Sequence, residues 1–211
     1  MNQAAATLTP GFAQPVQDAQ RVFRAVLEAM ARPLQPQALA VPLTPPAPLT
    51  AEAGGVVLTL CDEQTPLWVD PQLHRHHEVT AWLGFHTGAP LVAAAAEALF
   101  CLASSPDAVP PFEDLSPGTD QEPHRSTTLI VQAEQTGSRQ RLRGTGPGIR
   151  EALDWDGHGM TEQFRTARAE HAGGFPRGVD VLITGRGTVT GLPRTTVLEP
   201  TGPDTAAEGG A

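Results

Sequence analysis

The stretch that decides the fold runs Phe175-Pro176-Arg177-Gly178-Val179-Asp180-Val181-Leu182-Ile183-Thr184-Gly185-Arg186-Gly187-Thr188-Val189-Thr190-Gly191-Leu192-Pro193-Arg194-Thr195-Thr196. Residues 179–184 and 188–192 are apolar, β-branched runs on either side of Gly185-Arg186-Gly187, and they predict a β-hairpin. Two Arg–Pro neighbourhoods, an aspartate and a Thr-Thr pair frame this ribbon. Arginine carries a planar, permanently charged fork that matches phosphate or phosphonate oxygens, and adjacent hydroxyls and amides can complete such a site. Arg194, Thr195 and Thr196 are therefore candidate substrate-binding residues. The structural alternative is a strand start in which Arg194 pairs with Asp180. Asp180 could orient Arg194, accept from a ribose hydroxyl, or cap local backbone amides.

Outward from the ribbon, Val16, Ala19, Val22, Phe23, Val26, Leu27 and Met30 recur at helical spacing. Pro15 suits a first helical turn and Pro33 ends the run. Residues 34–48 read as extended. Residues 56–60 read as a buried strand closed by Cys61-Asp62, with Leu67-Trp68-Val69 as its hairpin partner. Residues 72–83 predict a helix with Val79, Trp82 and Leu83 inward, and residues 98–103 a strand. Residues 106–123 read as a loop. Residues 127–133 and 140–143 read as an antiparallel pair around Gln135-Thr136-Gly137-Ser138. Met160, Phe164, Ala167 and His171 mark a second amphipathic helix, and residues 195–198 are expected to extend the sheet. This irregular alternation predicts an α/β chain with a mixed sheet covered by helices.

The length of 211 residues suits one domain. A net charge of -9 argues against nucleic acid as the main partner. The chain has no lysine, so Schiff-base chemistry on pyridoxal phosphate and the usual P-loop are excluded. Tyrosine is absent too, which removes phenolic acid–base catalysis. Cys61 and Cys101 each sit in an apolar run and read as reduced core cysteines. No membrane-spanning run and no secretory leader are visible, so a cytoplasmic protein is expected.

Gly144-Thr145-Gly146-Pro147-Gly148 lacks the dinucleotide spacing, and Pro147 lacks an amide donor; a structural turn is the expectation, a phosphate nest the alternative. His74, His76, His77 and Glu78 read as an exposed polar face, with a metal site as the alternative.

Further segments add to the ribbon: Pro15-Val16-Gln17-Asp18-Ala19-Gln20, Phe23-Arg24, Met30-Ala31-Arg32-Pro33, Leu58-Thr59-Leu60-Cys61-Asp62, Thr65-Pro66-Leu67-Trp68, Phe85-His86-Thr87-Gly88-Ala89-Pro90-Leu91-Val92, Thr127-Thr128-Leu129-Ile130-Val131-Gln132, and Leu142-Arg143-Gly144-Thr145-Gly146-Pro147-Gly148-Ile149. In this order, from Pro15 to Val197, they resemble the PhnH family, the H subunit of the bacterial carbon–phosphorus lyase system. The resemblance implies a single three-layer α/β/α domain over residues 15–198, similar to the large domain of pyridoxal-phosphate transferases but without the cofactor. Residues 1–14 and 199–211 are expected to be a flexible segment and a disordered tail.

The resemblance also implies a role in phosphonate catabolism. The chain would act with partner subunits that transfer methylphosphonate to the ribose C1 of ATP, releasing adenine and giving ribose 1-methylphosphonate 5-triphosphate. It would be an accessory subunit, also self-associating as a homodimer, with ATP or phosphonate as candidate ligands. It adds Asp18, Arg24 and His86 to the candidate site residues, whose bland alternative is a solvated helix face for the first two and a satisfied histidine for the third. A stand-alone phosphate- or nucleotide-handling transferase and a purely structural docking module are the other two readings.

Overall fold

The structure, a computed structural model, describes residues 9–133, 141–172 and 174–201. Its first half contains α1 (Pro15–Ala31), β1 (Gln37–Ala38), α2 (Ala51–Leu60), β2 (Leu67–Val69), α3 (Pro71–His74), α4 (His77–Thr87) and β3 (Phe100–Ala103). Its second half contains β4 (Thr128–Gln132), β5 (Leu142–Thr145), β6 (Leu153–Trp155), α5 (Glu162–Glu170), β7 (Asp180–Gly185), β8 (Thr188–Leu192) and β9 (Val197–Pro200). Most of the expected flexible ends, residues 1–8 and 202–211, lie outside the described residues.

The ribbon forms as read: β7 and β8 pair antiparallel, with Ile183 opposite Thr190. It belongs to a six-stranded sheet in the order β1-β8-β7-β4-β3-β2. β2, β3, β4 and β7 run parallel to one another; β8 pairs antiparallel with β7, and β1 pairs antiparallel with β8 and so runs in the direction of the parallel set. The chain is thus α/β with a mixed sheet.

Side chains alternate across this sheet and feed two separate cores. Leu102, Ile130 and Leu182 face α1, α2 and α4, where Val22, Val56, Val57 and Trp82 pack. Cys101, Leu129, Val131, Val181 and Ile183 face the other way, towards Phe112, Trp155 and Phe164. Each of these buried apolar side chains contributes on the order of 2 kcal/mol.

Four strand expectations are corrected. Residues 56–60 are helical and belong to α2, which Thr50 caps through Oγ1 accepting from the Ala53 amide at 3.3 Å. α2 is buried from Ala53 to Val57, and the apolar run Val56-Val57-Leu58 within it carries no periodicity to separate it from a strand. Leu67-Trp68-Val69 is indeed a strand, but its partner is β3 in parallel register.

β4 and β5 do not pair with each other. β4 is flanked on both sides by parallel neighbours and has Leu129, Ile130 and Val131 fully buried, the pattern of a central parallel strand. β5 alternates buried and exposed residues and lies at the centre of a second, antiparallel sheet in the order β6-β5-β9. The turn expected at Gln135–Ser138 (residues 135–138) lies outside the described residues. β9 correspondingly extends this small sheet, not the large one.

Two helices also differ in detail. The helix expected over residues 72–83 is broken at Arg75-His76 into α3 and α4, and Val79, Trp82 and Leu83 do point inward. Asp70 caps the start of α3: its Oδ1 accepts from the Gln72 and Leu73 amides and its Oδ2 from the Ser104 amide at 2.6 Å. The apolar face of α1 is only half used: Val22 and Val26 are buried, but Val16, Phe23 and Leu27 are 66%, 49% and 58% exposed. α1 sits directly on β8, because a Cβ at Gly191 would come within 2.6 Å of the Ala29 carbonyl carbon.

Candidate functional site

Arg194 is the hub of the region flanking the ribbon. Its guanidinium is held by Asp180 at the start of β7, with Nη2 donating to Oδ2 at 2.6 Å and Nε lying 3.2 Å from both carboxylate oxygens. Nη1 donates to the carbonyls of Pro123 at 3.0 Å and Pro176 at 2.9 Å, and Nη2 donates also to Ser126 Oγ at 2.6 Å. All five N–H groups of a guanidinium are accounted for by these acceptors. The Arg194 amide donates to Asp180 Oδ1 at 2.7 Å. One side chain therefore ties the 117–126 segment, the approach to β7 and the exit from β8 into a single unit.

Gly178 makes this possible. Its φ is +145°, and a Cβ there would lie 2.8 Å from Arg194 Cβ, so no side chain fits between the two segments. Arg177, by contrast, points outward and pairs with Asp120 at 3.3 Å, an exposed ion pair of little energetic weight.

Pro193 to Thr196 form a turn, closed by the Thr196 amide donating to the Pro193 carbonyl at 2.9 Å. A residue that the sequence reading passed over, Arg168, brackets this turn from α5. Its Nη1 donates to the Thr196 carbonyl at 2.8 Å and its Nη2 to the Pro193 carbonyl at 2.6 Å. Arg168 is buried, and burial pushes its pKa down to about 10, against a partial opposing pull from the Asp180 carboxylate. A signal was present in the sequence: Arg168 lies at helical spacing with Phe164 and His171, so it falls on the apolar stripe of α5.

Arg168, Arg194 and Thr195 line a cavity of about 380 Å³ together with Phe112, Phe175 and Val197. It opens beside the start of β7, at the amino ends of the parallel strands. At the opposite ends, where open α/β sheets usually place ligands, two buried polar side chains are tied into the fold. Asp70 bridges β2 and β3 there, and Gln132 joins the Thr50 amide at 2.7 Å to the Pro48 carbonyl at 3.3 Å.

The other sequence candidates stand elsewhere. Asp18 is buried in α1 and lines a cavity with the 38–42 segment; its Oδ2 accepts from the Gln14 amide at 2.9 Å and its Oδ1 from Arg21. The Gln14 amide, aided by Arg21 and opposed by burial, holds this carboxyl below the usual aspartate range. Arg24 is exposed on the same helix, with no ion-pair partner among the described residues.

His86 lies in α4 with Nε2 3.1 Å from the Thr9 carbonyl, the same carbonyl that accepts from Trp82 Nε1 at 2.8 Å. Trp82 and Phe85 contact the His86 ring edge to face, and Gly11 lies flat against it. The structure thus brings Asp180, Arg194, Thr195 and Thr196 together and places Asp18, Arg24 and His86 at two other locations.

The glycine run of β5 is filled by the chain itself. A Cβ at Gly146 would lie 2.7 Å from the Thr195 carbonyl oxygen, and one at Gly148 2.6 Å from that of Ala31. This is the structural turn, not the phosphate nest. His74 and His77 lie on different helices because of the break at Arg75-His76, and no group of three potential ligands that could hold a metal occurs among the described residues.

A family model described as bacterial phosphonate metabolism protein (PhnH) matches residues 10–199. The chain is 41% identical over 188 residues to the alpha-D-ribose 1-methylphosphonate 5-triphosphate synthase subunit PhnH of Rhizobium meliloti (strain 1021), a match covering 89% of this chain and 94% of that protein. It is also 32% identical over 79 residues to the putative C-P lyase subunit protein HtxG of Stutzerimonas stutzeri, covering 37% of this chain and 40% of the relative. On the family match and on the near full-length identity, the chain belongs to the PhnH family of bacterial phosphonate metabolism proteins.

Proposed function

We propose that this chain is a subunit of a carbon–phosphorus lyase assembly in phosphonate catabolism. It supports the transfer of methylphosphonate to the ribose C1 of ATP with release of adenine, and it is not catalytic alone. The observation that carries this reading is the 41% identity to a named synthase subunit over nearly the whole of both chains. Glycosyl transfer from ATP builds oxocarbenium character on the sugar, which anionic and polar groups of the complex must position and stabilise. Arg194 suits a framework role in this scheme, since each of its donors already has a protein acceptor. Thr195, at the cavity wall, is the member of that group nearest to a ligand-contact role.

Partner docking is assigned to the outer stripe of α1. Val16, Phe23 and Leu27 expose apolar surface in one row, with Arg24 beside them. An acidic chain has little long-range attraction for other acidic surfaces, so apolar contact is the better basis for its assembly. The stripe would serve contacts to other subunits and to a second copy of the chain, in the cytoplasm. The two-sided packing of the large sheet agrees with a three-layer arrangement akin to the large domain of pyridoxal-phosphate transferases. No helix among the described residues is long and apolar enough to cross a membrane.

The test is adenine release from ATP and methylphosphonate by this chain alone, by the remaining subunits alone, and by the mixture. Release only in the mixture is expected. Release by this chain alone would overturn the accessory reading, and full release without it would remove it from the reaction.

A further inference from the structure

α1 begins with little support of its own. Its N-cap residue, Gln14, makes no side-chain cap, and Pro15 at the first helical position has no N–H to bond. Residues 13–17 are all exposed, so the first turn, which carries Val16, gains little from packing. The bonds that hold it are local: the Gln14 amide donates to Asp18 Oδ2 at 2.9 Å, and the Asp18 amide donates to the Gln14 carbonyl at 2.8 Å. A helix end held this lightly frays unless the chain before it is tied down.

That chain is clamped on α4. The Thr9 carbonyl accepts from Trp82 Nε1 at 2.8 Å and lies 3.1 Å from His86 Nε2; a carbonyl only accepts, so this nitrogen carries the proton. Gly11 lies flat on the imidazole, where a Cβ would come within 2.9 Å of Nδ1. Phe12 packs against the core to which Trp82 belongs. Trp82 is fully buried, and its indole N–H has the Thr9 carbonyl as acceptor. Residues 10–14 are all that separates the clamp from α1. Closure also carries a cost, because Thr9 Oγ1 is buried without a partner. A short segment with these opposed contributions opens more readily than the domain unfolds.

We propose that residues 9–14 are a latch whose closure on Trp82 and His86 sets the first turn of α1 and thereby adds Val16 to the exposed row of Phe23 and Leu27. With the latch closed, the row has all three side chains. With it open, the first turn frays and Val16 leaves the row. A partner that grips all three binds the closed form, so it tightens the latch; a broken latch weakens that partner by the fraction of molecules left closed. The inference rests on the docking reading of α1 given above. It also gives His86 a role away from the Asp180–Arg194 hub.

The experiment is hydrogen exchange by NMR on the full-length chain, read at the Trp82 indole N–H and at the Asp18 amide. In Gly11→Val, whose side chain strikes the imidazole, both are expected to exchange at least about tenfold faster, with the amides of β4 unchanged. His86→Ala removes one donor and keeps Trp82, so its rise should be smaller. Gly11→Val should add little on that background, because the ring it strikes is gone. Unchanged exchange at both sites in Gly11→Val, or faster exchange at Trp82 with Asp18 unchanged, would overturn the proposal. Capture by the remaining subunits of the assembly is the second readout. Gly11→Val is expected to bind about three- to tenfold more weakly, and Phe23→Glu, in the row itself, to lose binding. Full affinity of Gly11→Val beside a failed Phe23→Glu would overturn the latch as a control on docking. Unchanged binding of Phe23→Glu would instead overturn the docking reading, and the exchange pair would then decide the latch by itself. Arg143→Gln, exposed on β5, is the unaffected control in both readouts.

Discussion

Asp180 accepts from Arg194 through both side chain and main chain: Oδ2 from Nη2 at 2.6 Å and Oδ1 from the Arg194 amide at 2.7 Å. Each side chain is 16% exposed, so water screens the pair only in part. Removing one partner leaves the other buried and uncompensated. Asp180→Asn is expected to cost about 2–4 kcal/mol in urea unfolding. Arg194→Lys should cost nearly as much, since an ammonium cannot reach Pro123, Pro176, Ser126 and Asp180 together. A loss under about 0.5 kcal/mol for Arg194→Lys would show that the hub carries no stability.

Gly178→Ala tests the close approach to that hub. The substitution meets both an unfavourable φ of +145° and Arg194 Cβ at 2.8 Å. A loss of about 1–3 kcal/mol is expected, read as a Tm lower by roughly 3–10 °C. Gly187, with φ +71° and nothing near its would-be Cβ, is the control: Gly187→Asn should shift Tm by no more than about 2 °C. Equal shifts for the two would mean that packing on Arg194 is irrelevant.

Acid stability should pass through Asp18. Its carboxyl is held below the ordinary value of 3.8 by the Gln14 amide and by Arg21. A depressed carboxyl stabilises the fold above its unfolded pKa, and this contribution is lost as the pH falls through the folded one. The stability gap between the parent chain and Asp18→Asn should therefore narrow as denaturation is repeated from about pH 6 down to about pH 3. A gap that stays constant over that range would assign the effect of Asp18 to shape alone.

The two cysteines lie in different cores, and burial pushes both thiols up to about 12. A thiol raised above its unfolded value of 9.0 favours the folded state below that pH, and the contribution disappears as the pH rises towards 12. At about pH 8, Cys61 and Cys101 should react with an aromatic disulfide reagent roughly a hundredfold more slowly in the native chain than in urea. Fast reaction of either thiol in the native chain would place it at the surface.

The sequence made the ribbon legible because β-branched runs around Gly185-Arg186-Gly187 have only one economical arrangement. The same holds for α1, bounded by Pro15 and Pro33. The alternative of an Arg194–Asp180 pair could be named but not chosen, since saturation of a guanidinium depends on the distant Pro123, Ser126 and Pro176. α2 escaped because burial from Ala53 to Val57 erases the amphipathic signal. The misplaced pairing of β4 could have been avoided: Leu129-Ile130-Val131 lacks the polar alternation that Leu142-Arg143-Gly144-Thr145 has. Arg168 escaped because one charge in a short helix reads as surface, and only the stripe it interrupts betrays it.

The seat of α1 on β8 has a mechanical meaning. At Gly191 the helix rests on the strand backbone to backbone, without a cushion of rotatable side chains. Pro193 and Arg194 follow two and three residues later in the chain. The helix that carries Val16, Phe23 and Leu27 and the turn that floors the Arg168 cavity are therefore joined through one close backbone contact. A side chain in place of Gly191 would force the helix off the strand and move the outer row relative to the cavity.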